Sequence, residues 1–340
     1  MKLNHCLLVL LAAFAGTASA ESSLTLFGVV DVNLRYVKNA DVHESQVGTD
    51  GITSSRIGFR GVEDIADGLR AGFHLESSVV PDTGNINASG KFWHRRSTVS
   101  LYTRYGELRL GRDTVPTWLA YVDGDVYGTV GVGDGSKTYV ALGNADTRLR
   151  ADNLVAYFLP SNPWGIYGTI ASAPAEGVNG KRYAGVRLGY RAGPVDFSAA
   201  YSETAATLAN VTGTYKLAIV SGSYDLAFAK FFGVAQKTEL LAASNVHVTL
   251  GVSVPVPGIG GTLKASYTKA DGQGSLEAND AEQYVLGYIY DLSKRTAVYT
   301  TVSVIDNKGA ANFTVAGIAG FTQPGGAKSQ GVETGIRHSF

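Results

Sequence analysis

Arginine is the residue type whose positions in this sequence most directly suggest chemistry. The candidates follow one another through the first half of the chain, at Arg56, Arg60, Arg70, Arg95, Arg96, Arg109, Arg148 and Arg150. Positive charges gathered on one polar surface concentrate anions there, and acidic groups placed opposite them sharpen the discrimination between ions. Because basic residues dominate these candidates, a mild preference for anions is the first hypothesis.

A glycine-rich stretch at residues 113–152 carries the acidic candidates Asp123, Asp125 and Asp134. Its segment DGDVYG partly matches a calcium-binding loop, which has acids at positions one and three and glycine at position six. The match fails at position five, where Tyr127 offers neither a carboxylate nor an amide, and Asp134 replaces the glutamate of position twelve. The sequence therefore predicts no metal site, and a glycine-rich loop that bends sharply explains the same residues.

Histidine is a common general base, and it occurs beyond the N-terminal segment at His43, His74, His94, His247 and His338. No Gly-x-Ser-x-Gly elbow, no His-Glu-x-x-His pair and no phosphate-binding glycine loop accompanies these residues in the sequence. The 29 basic and 29 acidic side chains balance, which removes a global electrostatic argument for binding nucleic acid. We therefore predict no enzyme activity, no cofactor and no nucleic-acid partner.

The N-terminal segment has the pattern of a secretory signal peptide. Lys2 precedes an apolar run, and small residues at positions 18–20 fit a cleavage site. We expect cleavage before Glu21, which would also remove the single cysteine and the single methionine. The predicted organisation is a cleaved signal peptide at residues 1–20 and one domain at residues 21–340.

Most of the remaining chain alternates apolar and polar residues with period two. In the first such segment, Leu24, Leu26 and Leu34 share one phase, while Asp31 and Asn33 share the other. This pattern indicates strands of about ten residues with one oily face and one wet face. The phase is ambiguous in four segments, near 154–158, 217–224, 229–236 and 296–304. No apolar run is long enough for a helical span, so insertion into a membrane would need strands.

Short turns and long polar stretches alternate strictly along the chain. The short turns fall near residues 63–68, 103–106, 160–165, 191–194, 225–228, 255–261 and 291–295. The long stretches fall near residues 38–54, 77–93, 113–152, 173–182, 203–214, 237–244, 269–281 and 306–330. These fifteen connections join sixteen strands, an even number that suits antiparallel closure. The sequence thus predicts an all-β fold, a 16-stranded antiparallel transmembrane β-barrel wide enough for an aqueous channel.

Four stretches resemble the general diffusion porins of Gram-negative β-proteobacteria. They are SLTLFGVVD at residues 23–31, SSRIGFRGVED at 54–64, GYIYDLSKRT at 287–296 and GIRHSF at 335–340. The resemblance implies a homotrimer in the outer membrane, in contact with membrane lipid and lipopolysaccharide. Each barrel would form a water-filled channel for passive diffusion of small hydrophilic solutes and ions.

The same resemblance implies roles for particular residues. The third long connection would fold inward and narrow the channel. The family's basic cluster on the barrel wall is matched in position by Arg56, Arg95 and Arg150. The acids facing that cluster from the loop would be Asp123, Asp125 or Asp134. Further arginines in the lumen phase are Arg60, Arg70 and Arg109.

Two further points follow from the comparison with the family. The last strand ends on Phe340, which resembles the signal that barrel-assembly machinery recognises in these proteins. The strand after the third long connection, at residues 153–158, is more apolar than the family pattern.

Other interpretations fit the same strands. A substrate-specific outer-membrane channel, or a surface binding barrel, would use its long loops to grip a ligand or partner. A soluble secreted β-sandwich would pack its apolar faces against each other rather than against lipid. The arginines would also suit an interior that is simply solvated, in which they pair with acids such as Glu63, Glu76 and Glu107.

Overall fold

The structure is a computed structural model that describes residues 23–86, 90–139 and 142–340. The predicted signal peptide at residues 1–20, and the cleavage expected before Glu21, lie outside the described residues. Within the described part of the chain, no helix is both long and apolar enough to cross a membrane.

Antiparallel strands dominate the described chain. They are β1 (Ser23–Asn39), β2 (Val42–Thr49), β3 (Arg56–Ala66), β4 (Leu69–Val80), β5 (Asn85–Ile86), β6 (Arg96–Thr103), β7 (Gly106–Thr114), β8 (Arg150–Phe158), β9 (Ile166–Ala173), β10 (Tyr183–Ala192), β11 (Val195–Leu208), β12 (Val211–Asp225), β13 (Lys230–Leu240), β14 (Ala243–Pro255), β15 (Thr262–Gly274), β16 (Ala281–Asp291), β17 (Thr296–Asn307) and β18 (Ser329–Ser339). Strands β2 and β3 pair with the two halves of β1, and the short β5 pairs only with the end of β4. The 18 strands of the sheet therefore occupy sixteen positions around the barrel, which confirms the predicted count.

The sheet closes on itself because β18, the last strand, pairs with β1. At this seam the Gly28 N–H donates to the Phe340 carbonyl at 3.1 Å, and the Phe340 N–H donates to the Gly28 carbonyl at 3.0 Å. A backbone group left unpaired in hydrocarbon finds no solvent partner, so a membrane-spanning sheet must have no open edge. The closed antiparallel barrel expected from the sequence is confirmed.

The two faces of the barrel differ as the alternation predicts. On β1, Leu26 and Leu34 are 53% and 64% exposed on the outer face, whereas Asp31 and Asn33 are buried on the inner face. An apolar exterior fits lipid, and a polar interior fits water and the chain segments that fold into the barrel.

Some connections are tighter than the sequence suggests. The stretches expected as long loops near 203–214 and 237–244 are mostly strand, and only Ala209 and Asn210 join β11 to β12. These two residues have positive φ, 49° and 66°, as a two-residue type I′ hairpin requires. The expected boundaries were wrong here because polar residues mark where the chain leaves the membrane, not where it stops pairing.

Replacing Gly28 with alanine is expected to destabilise the seam. An added Cβ would lie 2.8 Å from the Arg56 carbonyl oxygen and 2.3 Å from the Phe340 ring. Such overpacking costs about 1–3 kcal/mol, so the urea midpoint for unfolding in lipid vesicles, followed by tryptophan fluorescence, should fall. Gly317→Ala is the control, since nothing lies within 4 Å of a Cβ built there. Equal midpoints for the two variants would contradict the prediction.

Candidate functional site

A long segment, residues 115–149, connects β7 to β8 and is called the inner loop below. It contains helix α1 (Pro116–Gly124) and a 3-10 helix (Gly135–Thr138). Proline at the first helical position favours α1, because its fixed φ suits the helix and its missing N–H would have no partner there. At the neck, the Val115 N–H donates to the Leu149 carbonyl at 3.1 Å, so the loop leaves and rejoins the wall at one point.

Helix α1 packs on apolar side chains that point inward from β12 and its neighbours. Tyr121 is fully buried in one cluster with Leu217 and Ile219. These strands carry apolar residues on both faces because lipid meets one face and the inner loop covers the other. The ambiguous phase of the segments 217–224 and 229–236 is a consequence of this arrangement.

Strand β8 has an apolar inner face for the same reason. Leu154 and Ala156 are buried in a cluster with Val115, and the partly buried Trp118 packs against them. The departure from the porin pattern at residues 153–158 is therefore a part of the wall that protein covers.

Polar contacts hold the second half of the inner loop against later strands. The Tyr127 hydroxyl donates to the Lys264 carbonyl at 2.9 Å. The Gln283 amide donates to the Val132 carbonyl at 3.2 Å, and the Val132 N–H donates to the Glu333 carboxylate at 3.0 Å. Gln283 and Glu333 are buried in the polar phase of their strands. The loop is thus fixed along the polar face of β15, β16 and β18.

A cavity of about 470 Å³ lies between the inner loop and the part of the wall where β3 and β8 begin and where His94 and Arg95 precede β6. The structure brings Arg56, Arg95 and Arg150 together on its wall side. The loop side is largely apolar and includes Trp118, Leu119, Val122 and Val130. Positive charge on one side of this cavity therefore faces an apolar surface on the other.

Carboxylates neutralise the arginines of this cavity only in part. An oxygen of Glu76 lies 2.5 Å from Arg95 Nε and 3.9 Å from Arg56 Nε. Arg150 Nε donates to the Arg95 carbonyl at 3.0 Å, and Arg150 forms no ion pair with any residue that the structure describes. Asp50 contributes a second carboxylate, which lines the cavity itself. Three guanidinium groups beside two carboxylates leave an excess of positive charge.

His94 lines the same cavity and responds to this charge. It is buried, and its Nε2 lies 2.9 Å from the Ser78 hydroxyl oxygen. Burial, followed by the positive charges of Arg150 and Arg95, lowers the pKa of His94 to about 4. The surroundings disfavour a further cation, as expected where anions are attracted.

The loop acids do not face the arginine cavity, and the expected placement of Asp123 needs correction. Asp123 binds another part of the wall, where its carboxylate lies 2.6 Å from Arg187 and 3.4 Å from Arg191. These two arginines on β10 were not among the candidates from the sequence. The inward phase of Arg187 was visible in the alternation, whereas Arg191 fell in a predicted turn, and the partner of both depends on how the loop crosses the barrel.

Asp125 and Asp134 also differ from the expectation, because each serves the inner loop itself. Asp125 is buried and accepts the Thr129 N–H at 2.7 Å. Burial, reinforced by the charge of Asp134, raises the pKa of Asp125 to about 7. Asp134 caps the 3-10 helix by accepting the Ser136 N–H at 2.8 Å. Neither carboxylate is directed across the cavity.

Of the other predicted arginines, Arg60 and Arg70 lie away from the cavity. Arg60 is further along β3 than Arg56 and is exposed. Arg70 lies beside the turn between β3 and β4, with Asp64 at 4.0 Å.

Arg109 is on β7, and two acids neutralise it. Its guanidinium lies 2.8 Å from Glu107 and 2.6 Å from Asp113. The interpretation of a paired arginine on a solvated wall, which the sequence left open, describes Arg109 better than a role in the cavity.

A second charged group was missed by the sequence analysis. A smaller cavity of about 200 Å³ touches Arg150 and is lined by Lys91, Arg112, Asp146, Thr147, Asp152 and Lys181. Its members come from β7, β8 and three connecting segments, so no local spacing connects them.

Comparison with known proteins agrees with this geometry. A family model for Gram-negative porins matches residues 7–310. Outer membrane porin protein 32 of Delftia acidovorans is 36% identical, over 100% of each chain. An anion-selective porin from Comamonas acidovorans is 35% identical with a TM-score of 0.85, over 94% of this chain and 100% of that one. The fold alone is shared with the trimer form of OmpT from Vibrio cholerae, 16% identical with a TM-score of 0.71 over 94% of this chain and 99% of that one.

A closed sixteen-stranded barrel with an apolar exterior and a charged inner cavity defines a channel of the outer-membrane type. The chain belongs to the Gram-negative porin family. It is a multi-pass β-barrel of the outer membrane that forms a channel for passive diffusion of small hydrophilic solutes. The family is one of channels rather than of enzymes.

His94 is expected to stay neutral above about pH 5, because its pKa is about 4 rather than the ordinary 6.5. Reversal potentials in a salt gradient should therefore follow the same pH profile, from about pH 8 to about pH 5, in the wild type and in His94→Gln. Glutamine is neutral at every pH and serves as the reference. Profiles that diverge near pH 6.5 would show that His94 titrates normally and that the cavity is less positive than described.

Proposed function

We propose that this channel prefers anions and that Arg56, Arg95 and Arg150 produce the preference. The observation that carries the proposal is the one-sided cavity, in which guanidinium groups face apolar side chains of the inner loop. Arg150 has no carboxylate partner among the described residues, so its charge is available to a passing ion. Among the described residues that line the cavity, Asp50 is the one carboxylate that a cation would find, and it already accepts the Ser55 N–H, while Glu76 is paired with Arg95.

The size of the cavity makes these charges effective. A space of about 470 Å³ keeps an ion within about one Debye length of the arginines, roughly 10 Å at 0.1 M salt, so mobile counterions screen them poorly. The apolar loop surface lowers the local dielectric and strengthens the attraction. An anion then moves through the cavity down its own concentration gradient, without any coupled reaction.

Similarity to a known channel supports the same preference. The Comamonas acidovorans protein is an anion-selective porin and shares the fold over 94% of this chain. The basic wall is the part of the present structure that would produce this property. We assign the chain transport alone and no catalytic activity.

Arg150→Gln should reduce the anion preference more than any other single arginine substitution in the cavity, because Arg150 lacks a carboxylate partner. Removing a unit charge about 4 Å from an ion changes the energy of that ion by about 1 kcal/mol in water, or about fivefold in its population. The anion loses an attraction and the cation loses a repulsion, so the anion-to-cation permeability ratio should fall by about fivefold to about 30-fold. Reversal potentials in a salt gradient across a planar bilayer measure that ratio. The control is Arg70→Gln, an arginine beside a turn and outside the cavity, which should behave as the wild type.

Two results would contradict the proposal. A wild-type channel that clearly favours cations would remove it, and so would equal reversal potentials for Arg150→Gln and the wild type. The same bilayers distinguish the substrate-specific alternative. Conductance linear in salt, without block by a sugar, peptide or dicarboxylate, supports general diffusion, whereas saturable block supports a specific channel.

The assembly is also a proposal, namely a homotrimer embedded in membrane lipid and lipopolysaccharide. Val30 is exposed in the outward phase of β1 and lacks bulk, which would let a neighbouring barrel approach closely there, whereas the Phe340 ring covers the outward side of Gly28. Phe340 exposes 46% of its surface on the same side, beside Gly28, and we propose it as the signal bound by barrel-assembly machinery. Residues 1–20 are proposed to direct secretion and to be removed before Glu21.

If the protein is a trimer of separate pores, single-channel records should show closure in three equal current steps. Each barrel encloses its own cavity, so one pore can close while its neighbours conduct. Chemical cross-linking in detergent should give a product of three chains, which disappears after heat denaturation. Closure in a single step, together with a monomeric cross-linked product, would contradict the trimer without affecting the proposed anion preference.

A further inference from the structure

Residues 50–55, called the inner bulge below, interrupt the barrel strand between β2 and β3. In the register with β1, Thr49 lies opposite Val32 and Arg56 lies opposite Val29. Two residues of β1 therefore lie opposite the six residues of the bulge, and the extra residues of the bulge must leave the sheet. The bulge leaves on the inner side, because the arginine cavity is lined by Asp50, Ile52, Thr53 and Ser54.

Asp31, a fully buried residue on the inner face of β1, holds the inner bulge from behind. Its Oδ2 accepts the N–H groups of Ile52 and Thr53, both at 2.9 Å. Its Oδ1 accepts the hydroxyl of Tyr299. The Asp31 N–H also donates to the Ser55 hydroxyl at 3.0 Å. One residue thus ties both the middle and the end of the bulge to the wall.

The other side of the inner bulge positions a cavity arginine. The Ser54 carbonyl accepts a hydrogen bond from Arg56 at 3.2 Å. The bulge also touches the inner loop, since a Cβ on Gly131 would lie 2.1 Å from the Gly51 carbonyl oxygen. Movement of the bulge would therefore move Arg56 and disturb the loop at the same time.

We propose that Asp31 is a positioning residue for ion selectivity, which fixes the inner bulge as a second constricting segment and thereby orients Arg56. The inference about selectivity rests on the anion preference proposed above, whereas the inference that Asp31 holds the bulge in the pore does not. The inner loop and the inner bulge together form the narrow passage.

A positioning role differs from a direct electrostatic role of the same carboxylate. If Asp31 acted through its charge, any neutral replacement would make the pore more positive and strengthen the preference for anions. If it acts through its hydrogen bonds, a neutral group that still accepts the two N–H groups should be sufficient. Asparagine keeps one acceptor oxygen of the same size, and alanine keeps none.

The experiment compares Asp31→Ala with Asp31→Asn in planar bilayers. Asp31→Ala leaves the N–H groups of Ile52 and Thr53, both partly buried, without their acceptor, so the bulge should lose its fixed position in the cavity. We expect greater open-channel current noise and a reversal potential closer to zero, because Arg56 is no longer oriented. Asp31→Asn should resemble the wild type in both measurements.

Controls separate this effect from damage to the fold. Asp64→Ala removes a carboxylate beside the far turn of β3 and should change neither measurement. Heat-modifiable migration on gels should show that every variant is a folded barrel. If Asp31→Ala does not fold, Ser55→Ala tests the same attachment, because it removes only the hydroxyl that bonds the Asp31 backbone, and a smaller change in the same direction is expected.

Several outcomes would overturn the inference. One is wild-type noise and reversal potential in Asp31→Ala, or in Ser55→Ala when that variant replaces it. Another is a similar shift of both Asp31 variants towards stronger anion preference, which would assign a direct role to the charge. A wild type without anion preference would contradict the proposed function, while the noise of Asp31→Ala would still test whether Asp31 holds the bulge.

Discussion

The closure of the barrel by backbone pairing between β1 and its neighbouring strands is the constraint on which the rest of the molecule depends. Lipid offers no hydrogen-bond partner, so the first strand must also pair with the last, and β18 closes the barrel on β1. Closure leaves only two places for unpaired chain, beyond the membrane and inside the barrel. The inner loop and the inner bulge both occupy the inside, where side chains such as Asp31 and Glu333 accept their N–H groups.

The interior is divided because the inner loop adheres to one part of the wall. Along β11 to β13 the inward side chains, among them Leu217 and Val234, form a packed core with α1. At the starts of β3 and β8, and just before β6, the wall keeps Arg56, Arg150 and Arg95 beside an open cavity. The same loop therefore packs against one side and leaves a charged surface on the other, so the packing and the proposed ion preference have a common cause.

Much of the barrel could be predicted from local pattern. Apolar residues such as Leu26 alternate with polar residues such as Asp31, and turn-forming residues separate the segments. The number of strands and the closure of the barrel could therefore be predicted. The lengths of the hairpin loops could not be predicted, because Ala209 and Asn210 adopt positive φ although neither is the glycine that usually indicates such a turn. The phase of segment 217–224 was ambiguous because a strand covered on both faces loses the alternation that distinguishes its inner face from its outer face.

The residues of the candidate site could be predicted only where their position along the barrel wall determines which residues come together. Arg56 and Arg150 are the first residues of β3 and β8, and Arg95 directly precedes β6, so all three lie at the same end of the barrel wall. The partners of Asp123 and Asp125 depend on how a loop of irregular structure crosses the barrel, and no periodicity records that path. The role of Asp31 was hidden for a related reason. The alternation placed it on the wet face, but only the register reveals the extra residues opposite it.

The division of the interior has a consequence for the evolution of such channels. Substitutions that face the open cavity can retune which solutes pass while barrel folding stays intact, because water tolerates many side chains. Inward positions on β12 lack that freedom, since a change at Ile219 alters the fit of α1 and displaces the boundary of the passage. Substitutions that change permeability among relatives should therefore accumulate on the wall of the open cavity. The inward positions that contact α1 should change slowly, because they must keep fitting the helix.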